Sequence, residues 1–211
     1  MLLHIKRIFK SVRRRPTFHL GLWLLGWAKA EAQTTAAERD CLVRHANGKK
    51  HLAEIGVWHG ATTCWLRRAM APEGRLVAID PYPVGKLGFS PQRIIAHREV
   101  SKISKGSVTW LRTTGSEAAR ELSSPIFDFV FVDGDHSYEG LQADWEGWSK
   151  LIILGGIVAL HDSRSSPSRQ IPDDVGSVHF THDVIERDPR FQVIEVIDSL
   201  TVLQRSQFQP D

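Results

Sequence analysis

Apolar residues along the 211-residue chain follow two different periods, and the alternation between them predicts the fold. Short unbroken apolar runs at 51–57, 75–80, 107–112, 127–132 and 157–160 read as strands buried on both faces of a parallel sheet. Between them, apolar positions return every three or four residues, as on the buried face of a helix. Thr34 or Thr35 caps one such helix, which runs to about Ala46 before Asn47-Gly48. Others are expected over 61–70 and 91–103, and one after Ser137 that carries Leu141, Trp145, Trp148, Leu151 and Ile152 and stops at Gly155-Gly156. A short helix is expected over 180–187. Two final runs, 191–198 and 200–205, meet through Asp198-Ser199 and read as an antiparallel hairpin. Strands alternating with helices specify an α/β, doubly wound sheet.

Polar residues gather where these strands end. Phe127 to Val132 runs into Asp133-Gly134-Asp135-His136, and Ile157 to Leu160 runs into His161-Asp162-Ser163. A right-handed strand-helix-strand unit brings both ends to one edge of the sheet, so Asp133, Asp135, His136, His161 and Asp162 should meet in one crevice. The first strand leads into Glu54-Ile55-Gly56-Val57-Trp58-His59-Gly60. Glycines at 56 and 60 allow a tight bend and close approach to a ligand, toward which the next helix points its free amides. Asp80 stands at the tip of the second strand, where a carboxylate suits a ribose diol; an ordinary turn aspartate is the alternative. Thr114-Gly115-Ser116 opens a helix beyond the third strand. Residues 164–177, rich in Ser, Pro, Arg and Asp, read as a long loop over the crevice.

The net charge of +3 is unevenly spread. Residues 1–30 hold seven Lys and Arg and no acid, so the rest of the chain is net acidic and a nucleic-acid-binding body is not expected. Within 2–15, Leu2, Ile5, Ile8, Phe9 and Val12 share one helical face and Lys6, Arg7, Lys10 and Arg13 to Arg15 lie mostly on the other, until Pro16. Such a basic amphipathic helix suits an anionic membrane surface, or packs on the domain or a second subunit. The apolar run 18–28 is too short to span a bilayer, which takes roughly 20 residues. It resembles a signal peptide in outline, but two Trp and two Gly dilute it, and retention in the cytoplasm is expected. Cys41 and Cys64 suggest neither a disulfide framework nor a metal site. Two regions follow: an extension, 1–33, and one domain, 34–211.

The run FVDGDHSYEGLQADWEGW…GGIVALHD, with E-I-G-x-x-x-G upstream, resembles the class I S-adenosylmethionine-dependent methyltransferases, in particular the branch that includes macrolide-sugar O-methyltransferases. The resemblance covers 51–205. It implies a Rossmann-like sheet of order 3-2-1-4-5-7-6 with the last strand antiparallel. It also implies S-adenosylmethionine as cofactor, with Glu54, Gly56 and Gly60 at its methionine and ribose end, Asp80 on the ribose, Ser116 near the adenine and Asp133 beside it. The acid often found near that adenine contact is not evident. The reaction implied is methyl transfer to a hydroxyl of a small polar acceptor such as a sugar. His136 is the candidate base, because imidazole titrates near neutral pH, and Asp133 is its partner.

Metal-dependent members of that family place a magnesium-type ion on three positions that correspond to Asp133, His161 and Asp162. Histidine is a poorer magnesium ligand than an oxygen. Two carboxylates in one crevice nevertheless call for a cation, so a divalent ion (Mg or Mn) is expected on these three, with His136 acting alone as the alternative. The glycine spacing and the closing hairpin disfavour a nicotinamide oxidoreductase. A metal-dependent hydrolase and a non-catalytic cofactor-binding scaffold stay open, as does homo-oligomerisation.

Overall fold

The computed structural model describes residues 16–122 and 126–206; the basic amphipathic segment expected at 2–15 lies outside the described residues. Seven strands form one sheet: β1 (His51–Ile55), β2 (Arg75–Ile79), β3 (Ser107–Leu111), β4 (Phe127–Val132), β5 (Ile152–Leu160), β6 (Phe191–Ile197) and β7 (Leu200–Arg205). Their order is β3-β2-β1-β4-β5-β7-β6. The first five run parallel, and β7 runs antiparallel to both β5 and β6. This is the Rossmann-like arrangement the sequence implied. The strand order reverses between β1 and β4, and a crevice opens there at the carboxyl ends of the strands.

The helices are α1 (Pro16–Leu24), α2 (Ala36–Ala46), α3 (Ala61–Ala69), α4 (Pro91–Ser101), α5 (Gly115–Arg120), α6 (Tyr138–Trp148) and α7 (Gly176–Asp183). They cover both faces of the sheet. Val130 and Val132 of β4 pack into a core with Trp145 and Trp148, while Phe129 and Phe131 pack into the opposite core with Leu42, Leu66 and Val202. Period-two alternation with both faces buried is what the unbroken apolar run encodes. Asp128, the one polar residue in that run, accepts hydrogen bonds from the amides of Lys50 and His51 at 2.7 and 3.0 Å. It thereby anchors the start of β1.

Thr35 caps α2 in a reciprocal capping box with Glu38, and Ser137 caps α6 by accepting from the Gly140 amide at 3.0 Å. Two boundaries differ from expectation. Helix α6 ends at Trp148 and β5 already begins at Ile152, so Leu151 and Ile152 leave the helix and Gly155-Gly156 lies inside a strand. Ile152 pairs with Phe127, and the register shifts before Phe129 pairs with Ile157. The glycines therefore mark an irregularity in the strand, not a helix stop. Helix α7 begins at Gly176, four residues before the expected start, and a 3-10 turn at Ile185–Arg187 follows it.

Helix α1 packs on α4. The Trp23 indole donates to Glu99 at 2.7 Å and carries the Lys102 ammonium 5.7 Å from its ring centre. His19 stacks on His59 with ring centres 4.7 Å apart. From there the chain crosses the carboxyl edge of the sheet to Thr35. Among the described residues no helix is long and apolar enough to cross a membrane.

Candidate active site

A cavity of about 590 Å³ occupies the crevice, lined by the turn after β1, by Asp80, by Gly115 and Ser116, by Asp133 to His136, and by Glu31 to Gln33 of the crossing segment. Its size suits a ligand of cofactor dimensions. Gly56 and Gly60 both have positive φ, +86° and +74°. A Cβ on Gly56 would lie 2.0 Å from the Asp133 carbonyl oxygen, so only glycine lets the β1 turn lie against β4 there. Asp80 accepts from the amides of Val57 and Trp58 through one oxygen, at 3.1 and 3.0 Å, and from Tyr82 through the other, at 2.7 Å. It thus shapes the glycine turn while its carboxylate borders the cavity.

Glu54 lies beneath the cavity and does not line it. Its side chain is fully buried and neither oxygen has a hydrogen-bond partner. Burial, reinforced by Asp133 and Asp80, holds its carboxyl well above the usual carboxylate range, which favours the neutral acid. Ser116 borders the cavity. An acid beside it, not evident from the local motif, comes from α6: Asp144 packs its carboxylate against Gly115 and Gly134. Burial first, then Asp135, pushes its pKa up to about 6, against the favourable Ser116 amide. The signal was present, since Asp144 interrupts the buried stripe of Leu141, Trp145 and Trp148.

The structure brings Asp133, His136, His161 and Asp162 together, four of the five groups that the strand-end reading gathered; Asp135, the fifth, lines the cavity and accepts from the Ser137 amide at 2.9 Å. His136 is 39% exposed at its side chain, with Nε2 at 3.7 Å from Asp133 Oδ1 and 3.8 Å from Asp162 Oδ2. His161 is fully buried. Its Nδ1 lies 2.8 Å from Asp133 Oδ1 and 3.7 Å from Asp162 Oδ1, and its Nε2 faces Glu38 Oε2 at 3.4 Å. Burial opposes a charge on this ring, but the surrounding carboxylates outweigh it and raise its pKa to about 9. Burial likewise opposes the Glu38 charge, yet His161, Ser199 and Thr35 bring it down to about 2. Glu38 accepts from the Thr35 amide at 2.7 Å and from the Ser199 amide and hydroxyl at 2.9 and 2.7 Å. In the sequence it passes for an ordinary capping-box acid.

Arg169, in the loop over the crevice, was also missed. Its guanidinium grips both carboxylate oxygens of Asp162, and Nη1 donates to the Gln33 carbonyl. These contacts decide the fit of a divalent ion on Asp133, His161 and Asp162. To ligate a metal, an imidazole must be neutral and a carboxylate must offer a free oxygen. Here Asp162 is held by Arg169 and by the Ser199 hydroxyl, and His161 is enclosed by three acids. The three residues do not present a ligand set for the ion, and the cation the acids require is supplied by the chain itself.

The adenosyl group fits better. The glycine turn, a strand-tip carboxylate and a helix-start hydroxyl border one cavity of suitable volume. A family profile described as a methyltransferase domain matches residues 53–163. The chain belongs to this family: it is a class I methyltransferase, an enzyme that depends on S-adenosylmethionine. Among curated relatives, "Probable caffeoyl-CoA O-methyltransferase 2" of Dictyostelium discoideum is 28% identical over 174 residues, covering 78% of this chain and 72% of the relative. Tricin synthase 1 of Oryza sativa subsp. japonica is 24% identical over 196 residues, covering 85% and 76%.

Solved structures share the fold. A Corynebacterium glutamicum protein superposes with a TM-score of 0.64 at 15% identity, covering 99% of this chain and 98% of its own. The N-methyltransferase NodS of Bradyrhizobium japonicum, in complex with S-adenosyl-L-homocysteine, gives 0.57 at 16% identity, covering 81% and 86%.

Proposed function

We propose that this enzyme methylates a hydroxyl of a small polar acceptor, a sugar or another natural product, with His136 as general base and without a divalent ion. The relatives named as O-methyltransferases support oxygen as the accepting atom. The observation that carries the reading is the place of His136, whose Nε2 stands between Asp133 and Asp162 at the mouth of the cavity. S-adenosylmethionine supplies an electrophilic methyl group. The chain must then hold the acceptor oxygen in line with it and remove one proton. His136 takes that proton at Nε2, and the two carboxylates stabilise the imidazolium that results. Gly56 and Gly60 shape the methionine and ribose end, Asp80 receives the ribose hydroxyls, and Ser116 with Asp144 borders the adenine. We read residues 16–33 as a strap belonging to the domain of 34–211, since Glu31 to Gln33 form part of the cavity wall.

A screen of hydroxylated acceptors with methyl-labelled cofactor tests the reading. Once an acceptor is found, His136→Ala should lower kcat by roughly 10² to 10⁴-fold, the usual worth of a positioned base. Affinity for S-adenosylhomocysteine should be retained. An unchanged kcat would remove His136 from the chemistry, and a screen without any acceptor would favour a cofactor-binding scaffold.

A further inference from the structure

The strap emerges from α1 with its apolar side chains turned outward. Leu24, Leu25 and Trp27 are 55%, 62% and 74% exposed, although the same helix buries His19 and Leu20 against the domain. Beside them runs a shallow groove of about 760 Å³ between α1, α3 and α4, lined by Trp23 and Trp65 and by Lys29, Arg68, Arg98 and Lys102. All four basic residues are exposed. Glu99, the one carboxylate lining the groove, is already engaged by the Trp23 indole and by Lys102. Among the described residues Lys29, Arg68 and Arg98 have no carboxylate within salt-bridge distance. The chain immediately before α1 carries Lys6, Arg7, Lys10, Arg13, Arg14 and Arg15.

From this juxtaposition we propose that the α1 face docks on an anionic phospholipid surface, with Leu24, Leu25 and Trp27 entering the headgroup region and Lys29, Arg68 and Arg98 facing lipid phosphates. Three apolar tips grouped at a helix end bury their area in the boundary between headgroups and acyl chains, where tryptophan is favoured. The basic rim meets the negative surface potential of such a membrane, and the sequence upstream adds six more basic residues. A second copy of this chain is a worse occupant. A two-fold interface would set this patch against itself and bring uncompensated cations together. None of these tips belongs to the cofactor cavity, so the proposal and the methyltransfer reading can fail separately.

The test is sedimentation of the full chain with vesicles of phosphatidylcholine alone or mixed with phosphatidylglycerol, at low and high salt. Binding is expected to the anionic vesicles only and to weaken with salt. It should fall about threefold or more in the double variants Leu25→Ser/Trp27→Ser and Arg68→Gln/Arg98→Gln, with affinity for S-adenosylhomocysteine unchanged, which also reports that the variants are folded. Equal binding to both vesicle types, or variants that sediment like the wild type, would overturn the proposal. If Leu25→Ser/Trp27→Ser instead converts a dimer to a monomer in light scattering and leaves sedimentation unaltered, the face belongs to a second copy and the lipid assignment is wrong.

Discussion

The Arg169 guanidinium holds the Asp162 carboxylate through two nitrogens, with Nη2 at 2.6 Å from Oδ2, and reaches the Gln33 carbonyl with a third. One side chain thus joins the loop over the crevice, the end of β5 and the strap that walls the cavity. Turnover should therefore survive chelation undiminished. Arg169→Gln should lower stability by about 1 to 3 kcal/mol, because it leaves a largely buried carboxylate without its cation. Chelator titration of the wild type and denaturant unfolding of the variant check this. Loss of activity on chelation with rescue by magnesium or manganese would place an ion on Asp133 and Asp162 after all.

Asp80 should govern cofactor affinity. Asp80→Ala is expected to weaken S-adenosylhomocysteine binding by about 1.5 to 3 kcal/mol, the range for hydrogen bonds to a charged group. It also frees the amides of Val57, Trp58 and Tyr82. Asp80→Asn keeps one acceptor and should fall between the two. Isothermal calorimetry on the three proteins decides it, and equal affinities would end the ribose assignment.

The Glu38 and His161 pair makes stability depend on pH from both sides. The folded-state pKa of Glu38 is lowered from 4.5 to about 2, so its contribution is complete above about 4.5 and is lost as pH falls toward 2. That of His161 is raised from 6.5 to about 9, so its contribution is complete below about 6.5 and is lost as pH rises toward 9. Thermal unfolding should show an acid limb below about 4.5 and an alkaline limb above about 6.5, with the separate decline due to Asp144 between them. His161→Gln should lower stability near pH 6.5 and flatten the alkaline limb; an alkaline limb that persists in this variant would refute the pairing.

Asp144 acts in the opposite sense to Glu38. Its folded-state pKa is raised from 3.8 to about 6, so the folded chain binds the proton more tightly and stability from this group declines as pH rises through that window. Asp144→Asn mimics the neutral acid. The variant should match the wild type near pH 4 and exceed it above pH 7 by up to about 3 kcal/mol. Denaturant melts at the two pH values check the difference, and a variant equally unstable at both would assign Asp144 another role.

The strand ends were legible because burial on two faces leaves an unmistakable apolar run, as in Phe127 to Val132, and the sheet order followed from the family resemblance carried by the motifs around Gly56, Asp133 and Asp162. What escaped came from elsewhere in the chain. Glu38, Arg169 and Asp144 reach the crevice from a helix cap, a surface loop and a helix face. Each has a common local explanation that conceals its long-range partner. A divalent ion was expected from acids at aligned positions, and local spacing does not reveal that Arg169 pairs with one of them. Gly155-Gly156 misled because a glycine pair marks a helix stop and a strand irregularity equally well.

The reversed course of β7 has a consequence for the order in which the enzyme comes into being. Because that strand runs against β5, the bend that precedes it arrives at the crevice, where the Ser199 amide and hydroxyl grip Glu38 and the hydroxyl touches Asp162. A nascent chain already carries the glycine turn, Asp80, His136 and Asp162 well before residue 199 leaves the ribosome. Domains fold as units during synthesis, and in this one the keystone follows the other named parts of the site along the chain. The growing chain holds its whole complement of reactive groups while the clasp that sets their spacing is still to come, so methyl transfer should begin only after the closing hairpin has seated.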